Sequence, residues 1–225
     1  MVTRRVMTRL AVPLMAIAVA SSPGRAQEAS TPAAATERLE PGLLERLYAG
    51  GRTFGDFLDA ATARREQWLS HYEQGQALDE LVERARAVSG AWRLLVVAVD
   101  ACSDSVGTLP YLARLDEAVA TLDLRIVDRE AGKPIAEARR SPDGRATTPT
   151  LVLLDGDGRE RGCWVEQPAG LQTWWLAADR AKQRELLSKK MAWYADDAGV
   201  STVREVVEML EAAAAGRTIC PPLTR

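Results

Sequence analysis

Histidine, phenylalanine and cysteine are scarce in this chain: its 225 residues include one His, two Phe and three Cys. His71 is the only imidazole and the cysteines stand far apart, at 102, 163 and 220. No Cys/His set at finger spacing exists, which excludes a closed zinc site, and no metal or cofactor is expected. Long apolar runs are also missing. The most continuous, Leu10 to Ala20, spans 11 residues, against the roughly 20 that a membrane-crossing helix needs. There is no excess of positive charge either: 29 Lys and Arg face 31 Asp and Glu, a net charge of −2, so a nucleic-acid partner is not expected. A Gly-rich phosphate loop, a Ser-His-Asp order and a paired-carboxylate context are all lacking.

What is present is ordinary globular composition, 47% hydrophobic and 27% charged, in a chain long enough for one well-packed core with additions. The first 26 residues have a different character. Arg4, Arg5 and Arg9 precede or adjoin the apolar run, and Gly24 and Ala26 place small residues at −3 and −1 of a cleavage point. That order is a secretory signal peptide over 1–26. Thr3-Arg4-Arg5-Val6-Met7 also resembles a twin-arginine signal, so the export route stays open while the destination, periplasmic or secreted, does not change. Cleavage removes four arginines and no acid, taking the net charge from −2 to −6. The mature chain should contain no integral membrane segment.

Residues 27–41, rich in Ala, Thr, Glu and Pro, read as a flexible leader, and 42–90 as a helical extension. One helix is expected from Thr53, with Phe54, Phe57, Leu58, Ala61, Trp68, Leu69 and Tyr72 on a single face. A second carries Leu78, Leu81, Val82, Ala85 and Val88. Trp92 to Asp100 is a nearly continuous run of β-formers, the pattern of a strand covered on both faces. A helical stripe through Leu109, Leu112, Leu115 and Val119 follows, then a strand at Leu122 to Val127. Strand, helix and strand within 36 residues make a βαβ unit with parallel strands. A short helix is expected over Lys133 to Arg140. Pro149 to Leu154, the turn Asp155-Gly156-Asp157-Gly158, and Arg161 to Val165 form an antiparallel hairpin, so the sheet is mixed. Residues 168–225 are read as C-terminal helices and a tail: one helix from about Ala169 to Tyr194, another from Val203 to Ala215 opening on the capping box Thr202 to Glu205.

The chemistry concentrates at Cys102-Ser103-Asp104-Ser105, between the end of a buried strand and the start of a helix. Unpaired backbone N–H groups and the positive dipole end favour an anion there, the setting of a reactive thiolate. The plain alternative is a small buried cysteine, and location argues against it.

Strand-Cys-x-x-Ser-helix, Pro110 eight residues after the cysteine, and Thr148-Pro149 just before the hairpin occur in one order. With the surrounding βαβ unit and hairpin they resemble the thioredoxin superfamily over roughly residues 91–167. The resemblance implies an α/β fold of three layers, α/β/α, around a mixed sheet of about four strands, with helical extensions. It also implies a cis Thr148-Pro149 bond facing Cys102, with Thr148 and Pro149 offering backbone to an extended substrate segment. A trans proline opening an edge strand is the alternative.

Three departures from the family pattern point one way. Ser105 replaces the second cysteine, Ala101 the tryptophan before the first, and Val96 the buried acid. Cys102 can then form a mixed disulfide but cannot release itself within the motif. Asp104 sets a negative charge near the thiol, partly offsetting the helix dipole, and Ser105 can offer the thiolate a hydrogen bond. Of the three cysteine pairings, Cys163 with Cys220 is favoured as a clasp between tail and sheet. Cys102 with Cys220 as a resolving tail, Cys102 with Cys163, and three free thiols remain open.

Weaker signals are read as structural. The Asp155 turn lacks the glycine that a calcium loop requires. Trp174 and Trp175 are taken as core, Trp164 and Trp174 as walls of a groove at most, His71 as a surface or boundary residue, and Arg180 to Lys190 as a solvated helix face. Two functions are carried forward. One is an exported monothiol thiol-disulfide oxidoreductase that uses Cys102 and Ser105 on protein thiol or disulfide substrates or a periplasmic redox partner. The other is a redox-inert binding module on the same fold.

Overall fold

The computed structural model describes residues 39–75 and 79–220; the expected signal peptide, the leader up to residue 38 and Leu78 lie outside the described residues. Four strands form one sheet: β1 (Trp92–Val97), β2 (Leu122–Val127), β3 (Thr150–Leu154) and β4 (Glu160–Val165), in the order β2-β1-β3-β4. β1 pairs parallel to β2 and antiparallel to β3, and β3 pairs antiparallel to β4. β1 is central, with every residue buried except Arg93, which is partly exposed. Its apolar residues alternate between two cores, as a strand covered on both faces must. Leu94 and Val96 join the larger core; Leu95 and Val97 join the smaller one on the opposite face.

The larger core holds the apolar faces of α2 (Phe54–Ala60), α3 (Arg65–Gln74), α4 (Asp79–Arg86), α5 (Ser103–Ala118) and α9 (Val200–Ala214). The smaller is covered by Leu44, Leu47 and Tyr48 of α1 (Leu43–Ala49) and Ile135 of α6 (Lys133–Ala138). Helix, sheet and helix are the three expected layers. Both sheet edges are closed by single bridges. Arg52 exchanges both backbone hydrogen bonds with Ile126 on β2, at 2.9 and 2.8 Å, and Cys163 N–H on β4 donates to Ile219 O at 2.8 Å. Such caps deny the exposed edges to another chain.

The helices depart from expectation in three places. The helix from Thr53 is two: α2, capped by the Thr53 hydroxyl on Asp56 N–H at 3.1 Å, and α3, separated at Ala61 to Arg64. The Asp100 carboxylate takes the N–H groups of Thr62 and Ala63, at 2.8 and 2.9 Å, and so holds the break open. Phe54, Phe57, Leu58 and Trp68 are nevertheless buried, so the stripe was sound and only its continuity was not. The helix from Ala169 is also two, α7 (Ala169–Ala177) and α8 (Gln183–Asp197), joined through a 3-10 turn at Arg180–Lys182. The last helix begins at Val200, behind Gly199 at φ 78°, and not at Val203. The Asp197 carboxylate accepts from Ser201 N–H at 3.1 Å, leaving Thr202 buried inside the helix without a capping role.

Candidate active site

β1 ends at Val97, and a tight turn in which Cys102 N–H donates to Val99 O at 3.0 Å delivers the cysteine to the N-cap of α5. Cys102 has extended φ and ψ of −78° and 121°, and its carbonyl accepts the helical bond from Val106 N–H at 3.1 Å. The thiol is half-buried and free. It donates to the carbonyl of Thr148 at 3.2 Å, across a Thr148–Pro149 peptide that is cis. The Pro149 carbonyl accepts from Glu166 N–H at 2.8 Å, which ties this loop to the end of β4.

The N-terminal helices hold the other side of the cysteine turn. Besides Thr62 and Ala63 on the Asp100 carboxylate, Trp68 Nε1 donates to Asp100 O at 3.0 Å and Arg64 Nε to Ala101 O at 2.8 Å. The Ala63 N–H foremost, then the Thr62 N–H and hydroxyl, hold the Asp100 carboxyl below its ordinary pKa. The extension thus fixes the residues on which Cys102 is mounted.

Beneath the thiol lies a polar cluster. Asp104, 6% exposed, accepts from Lys190 Nζ at 2.9 Å, Tyr194 OH at 2.9 Å and Gln167 Nε2 at 3.3 Å. Lys190 is 3% exposed and its ammonium sits 4.5 Å from the centre of the Trp175 ring, a cation–π contact. Burial, then the Asp104 charge, pushes the Tyr194 hydroxyl well above its ordinary pKa, so it stays a proton donor. Glu166, buried and at φ 68°, is held by both guanidinium nitrogens of Arg145 at 2.9 and 3.1 Å, while burial raises its carboxyl pKa.

Several sequence expectations change here. Lys190 is not on a solvated face: it is buried as the partner of Asp104. Asp104 is therefore not a bare negative charge beside the thiol. Ser105 is fully buried and its hydroxyl has no hydrogen-bond partner, so it does not bond the Cys102 sulfur. Trp164 is buried and gives its Nε1–H to Glu205 at 2.7 Å, so it is core and not a groove wall. Trp174 is 37% exposed while Trp175 is buried. His71 is half-buried, with Nδ1 2.9 Å from Val106 O.

Cys163 and Cys220 form a disulfide with Cα atoms 4.6 Å apart. Glu160 lies beside it, but both its oxygens are taken by Arg139, at 2.5 and 2.6 Å, and both sulfurs by each other. That leaves no ligand set there for a metal.

A thioredoxin family model matches residues 51–184. The chain belongs to the thioredoxin family. The match extends beyond the 91–167 stretch that carries the motifs and takes in α2, α3, α4 and α7. Two solved structures share the thioredoxin-like fold. A protein of unknown function from Pseudomonas aeruginosa aligns at 20% identity and a TM-score of 0.57, over 75% of this chain and 97% of its own. An HIV epitope-scaffold aligns at 19% identity and a TM-score of 0.59, over the same shares. At these identities the likeness is one of fold. No curated protein matches the chain.

Sequence reasoning missed Lys190, Tyr194, Gln167, Glu166 and Arg145. A conspicuous signal was Asp104 itself: a carboxylate in the first turn of a helix that starts from a buried strand needs a partner if that turn is covered.

Proposed function

We propose that this thioredoxin-family protein is exported and uses Cys102 as a single nucleophilic thiol toward the disulfides of protein substrates. The observation that carries the reading is the placement of a free, half-buried thiol on a helix N-cap, 3.2 Å from the carbonyl of a cis X-Pro bond. Backbone N–H groups at the helix start favour the thiolate, and the adjoining backbone offers an extended substrate segment something to pair with. The thiolate attacks one sulfur of a substrate disulfide. A Cys102–S bond forms as the substrate S–S bond breaks, and the departing thiolate takes a proton from water. Ser105 cannot complete a second exchange, and Cys163 and Cys220 are bonded to each other. Release therefore requires an external thiol, which attacks the mixed disulfide and frees Cys102. The expected site of action is the periplasm or the exterior.

The test is trapping. The mature protein, incubated with a peptide carrying one disulfide, should yield a covalent adduct on Cys102 that Cys102→Ser abolishes and dithiothreitol reverses. A protein that forms no such adduct while still binding its partners after Cys102→Ser would be the redox-inert module. The loss of a second cysteine at Ser105 is the feature favouring that rival. N-terminal sequencing of protein recovered from the periplasm should begin at Gln27; a cytoplasmic protein starting at Met1 would refute export.

A further inference from the structure

The sequence sets a carboxylate two residues after the candidate nucleophile, where it should work against a thiolate. The fold answers with a cation. Asp104 in the first turn of α5 meets Lys190 of α8 at 2.9 Å, and both side chains are almost fully enclosed. A pair closed off from water is little screened, so its charges act at short range with more force than surface charges do. α8 is held over the start of α5 by more than this contact, since the Tyr194 ring packs directly on Gly107. Lys190 and Tyr194 also lie beyond residue 184, where the family match ends. The compensating cation thus comes from outside the matched residues.

We propose that Lys190 is a positioning residue for Cys102: it neutralises Asp104, and so preserves the capacity of the α5 N-terminus to hold the thiolate. This rests on the reading of Cys102 as the nucleophile. The charged and titratable groups facing the cluster are Asp104 from α5, Lys190 and Tyr194 from α8, and the Glu166–Arg145 pair from the loops flanking the hairpin. The tyrosine stays neutral, as its raised pKa indicates. Glu166 is already matched by Arg145. Lys190 is left as the cation that decides the net charge felt from Asp104.

The prediction is an order of rates. Cys163 and Cys220 are bridged, so iodoacetamide labels Cys102 alone under non-reducing conditions. At neutral pH, Lys190→Met should slow labelling by about tenfold and move the midpoint of its pH profile upward by about one unit. Asp104→Asn, which leaves the cation unopposed, should do the reverse. The double variant, with the same net charge as the original pair, should label at about the original rate, and Lys190→Arg should keep it as well. A general loosening of the site would speed labelling in all the variants alike and would not reverse sign.

Should Lys190→Met not fold, Asp104→Asn carries the test. Its amide keeps an acceptor for Tyr194 and Gln167, and an unchanged labelling rate in that variant overturns the proposal. Equal rates across a folded set overturn it too. Labelling reports the thiolate and not exchange, so the outcome separates from that of the proposed function. Ordered rates without peptide adducts sink the exchange reading alone, and adducts with unordered rates sink this inference alone.

Discussion

Gly107 and Tyr194 touch so closely that the ring leaves no room for a side chain at 107: a Cβ on Gly107 would lie 2.6 Å from the Tyr194 ring. The glycine is in the second turn of α5 and the tyrosine in the last turns of α8, so this contact sets how closely α8 lies over the Cys102 helix. Tyr194 also gives its hydroxyl to Asp104 at 2.9 Å, and packing and hydrogen bond therefore stand or fall together.

Gly107→Ala should cost roughly 1–3 kcal/mol, because the ring must move against a packed neighbourhood. Urea titration of four proteins, wild type, Gly107→Ala, Tyr194→Ala and the double variant, measures the coupling. With the ring gone the added methyl has room, so the double variant should lose less than the sum of the two single losses. Additive losses would show that the methyl is accommodated without displacing Tyr194.

A second prediction concerns pH. Asp116 of α5 accepts from Leu124 N–H at 3.0 Å, and its carboxyl is raised to about 6, mainly by burial. Its unfolded counterpart titrates near 4, so between about pH 4 and 6 the native state holds a proton that the unfolded chain has lost. The contribution of Asp116 to stability is therefore greatest below pH 4 and falls as pH rises, until above about 6 the ionised carboxylate carries its full burial cost. Asp116→Asn keeps an acceptor for Leu124 and removes that charge. It should be more stable than wild type at pH 8, by on the order of 1 kcal/mol at this partly exposed and so partly screened site, and equal to it at pH 4. Parallel urea titrations at the two pH values check this; a difference that does not change with pH would remove the carboxyl from the account.

The parts of the fold legible in the sequence were those set by local pattern. Buried strands announce themselves as unbroken apolar runs. The β2 bounds agree to the residue, and the β1 run overshot by three because Val99 closes the turn that delivers Cys102. The Cys102 N-cap was legible from residues adjacent in the chain, whereas the cis Thr148–Pro149 bond was implied by the resemblance to the thioredoxin superfamily, the neighbouring residues alone leaving trans open.

What could not be read depended on distant partners. Lys190 meets Asp104 across 86 residues, and in a run with Arg184, Glu185 and Lys189 nothing local marks it as the buried one. The helix from Thr53 breaks because Asp100, 38 residues on, claims the Thr62 amide. Thr202 to Glu205 satisfies a capping box by letter. Yet the helix begins earlier, and the Glu205 carboxylate instead serves Trp164 Nε1 at 2.7 Å and Ala169 N–H at 2.8 Å, joining β4 and α7 to α9. A motif tells which bonds a side chain can make, and packing decides which it does make.

The remaining prediction separates a clasp from a catalytic tail. The Cys163–Cys220 disulfide closes a sequence separation of 57 residues and holds Ile219 beside β4, where its carbonyl accepts from Cys163 N–H at 2.8 Å. Replacing both cysteines with alanine should lower stability by about 2–4 kcal/mol, since the unfolded chain loses its cross-link. It should also raise hydrogen exchange at the position 163 amide as the tail frays and the β4 edge opens. Cys102 bonds Thr148 and takes no part in this disulfide, so its peptide adduct should form and be released by external thiol at unchanged rates in the folded double variant. Slower release without the two cysteines would instead mean that Cys220 reaches the mixed disulfide and resolves it, which would make the clasp a catalytic partner and not a staple.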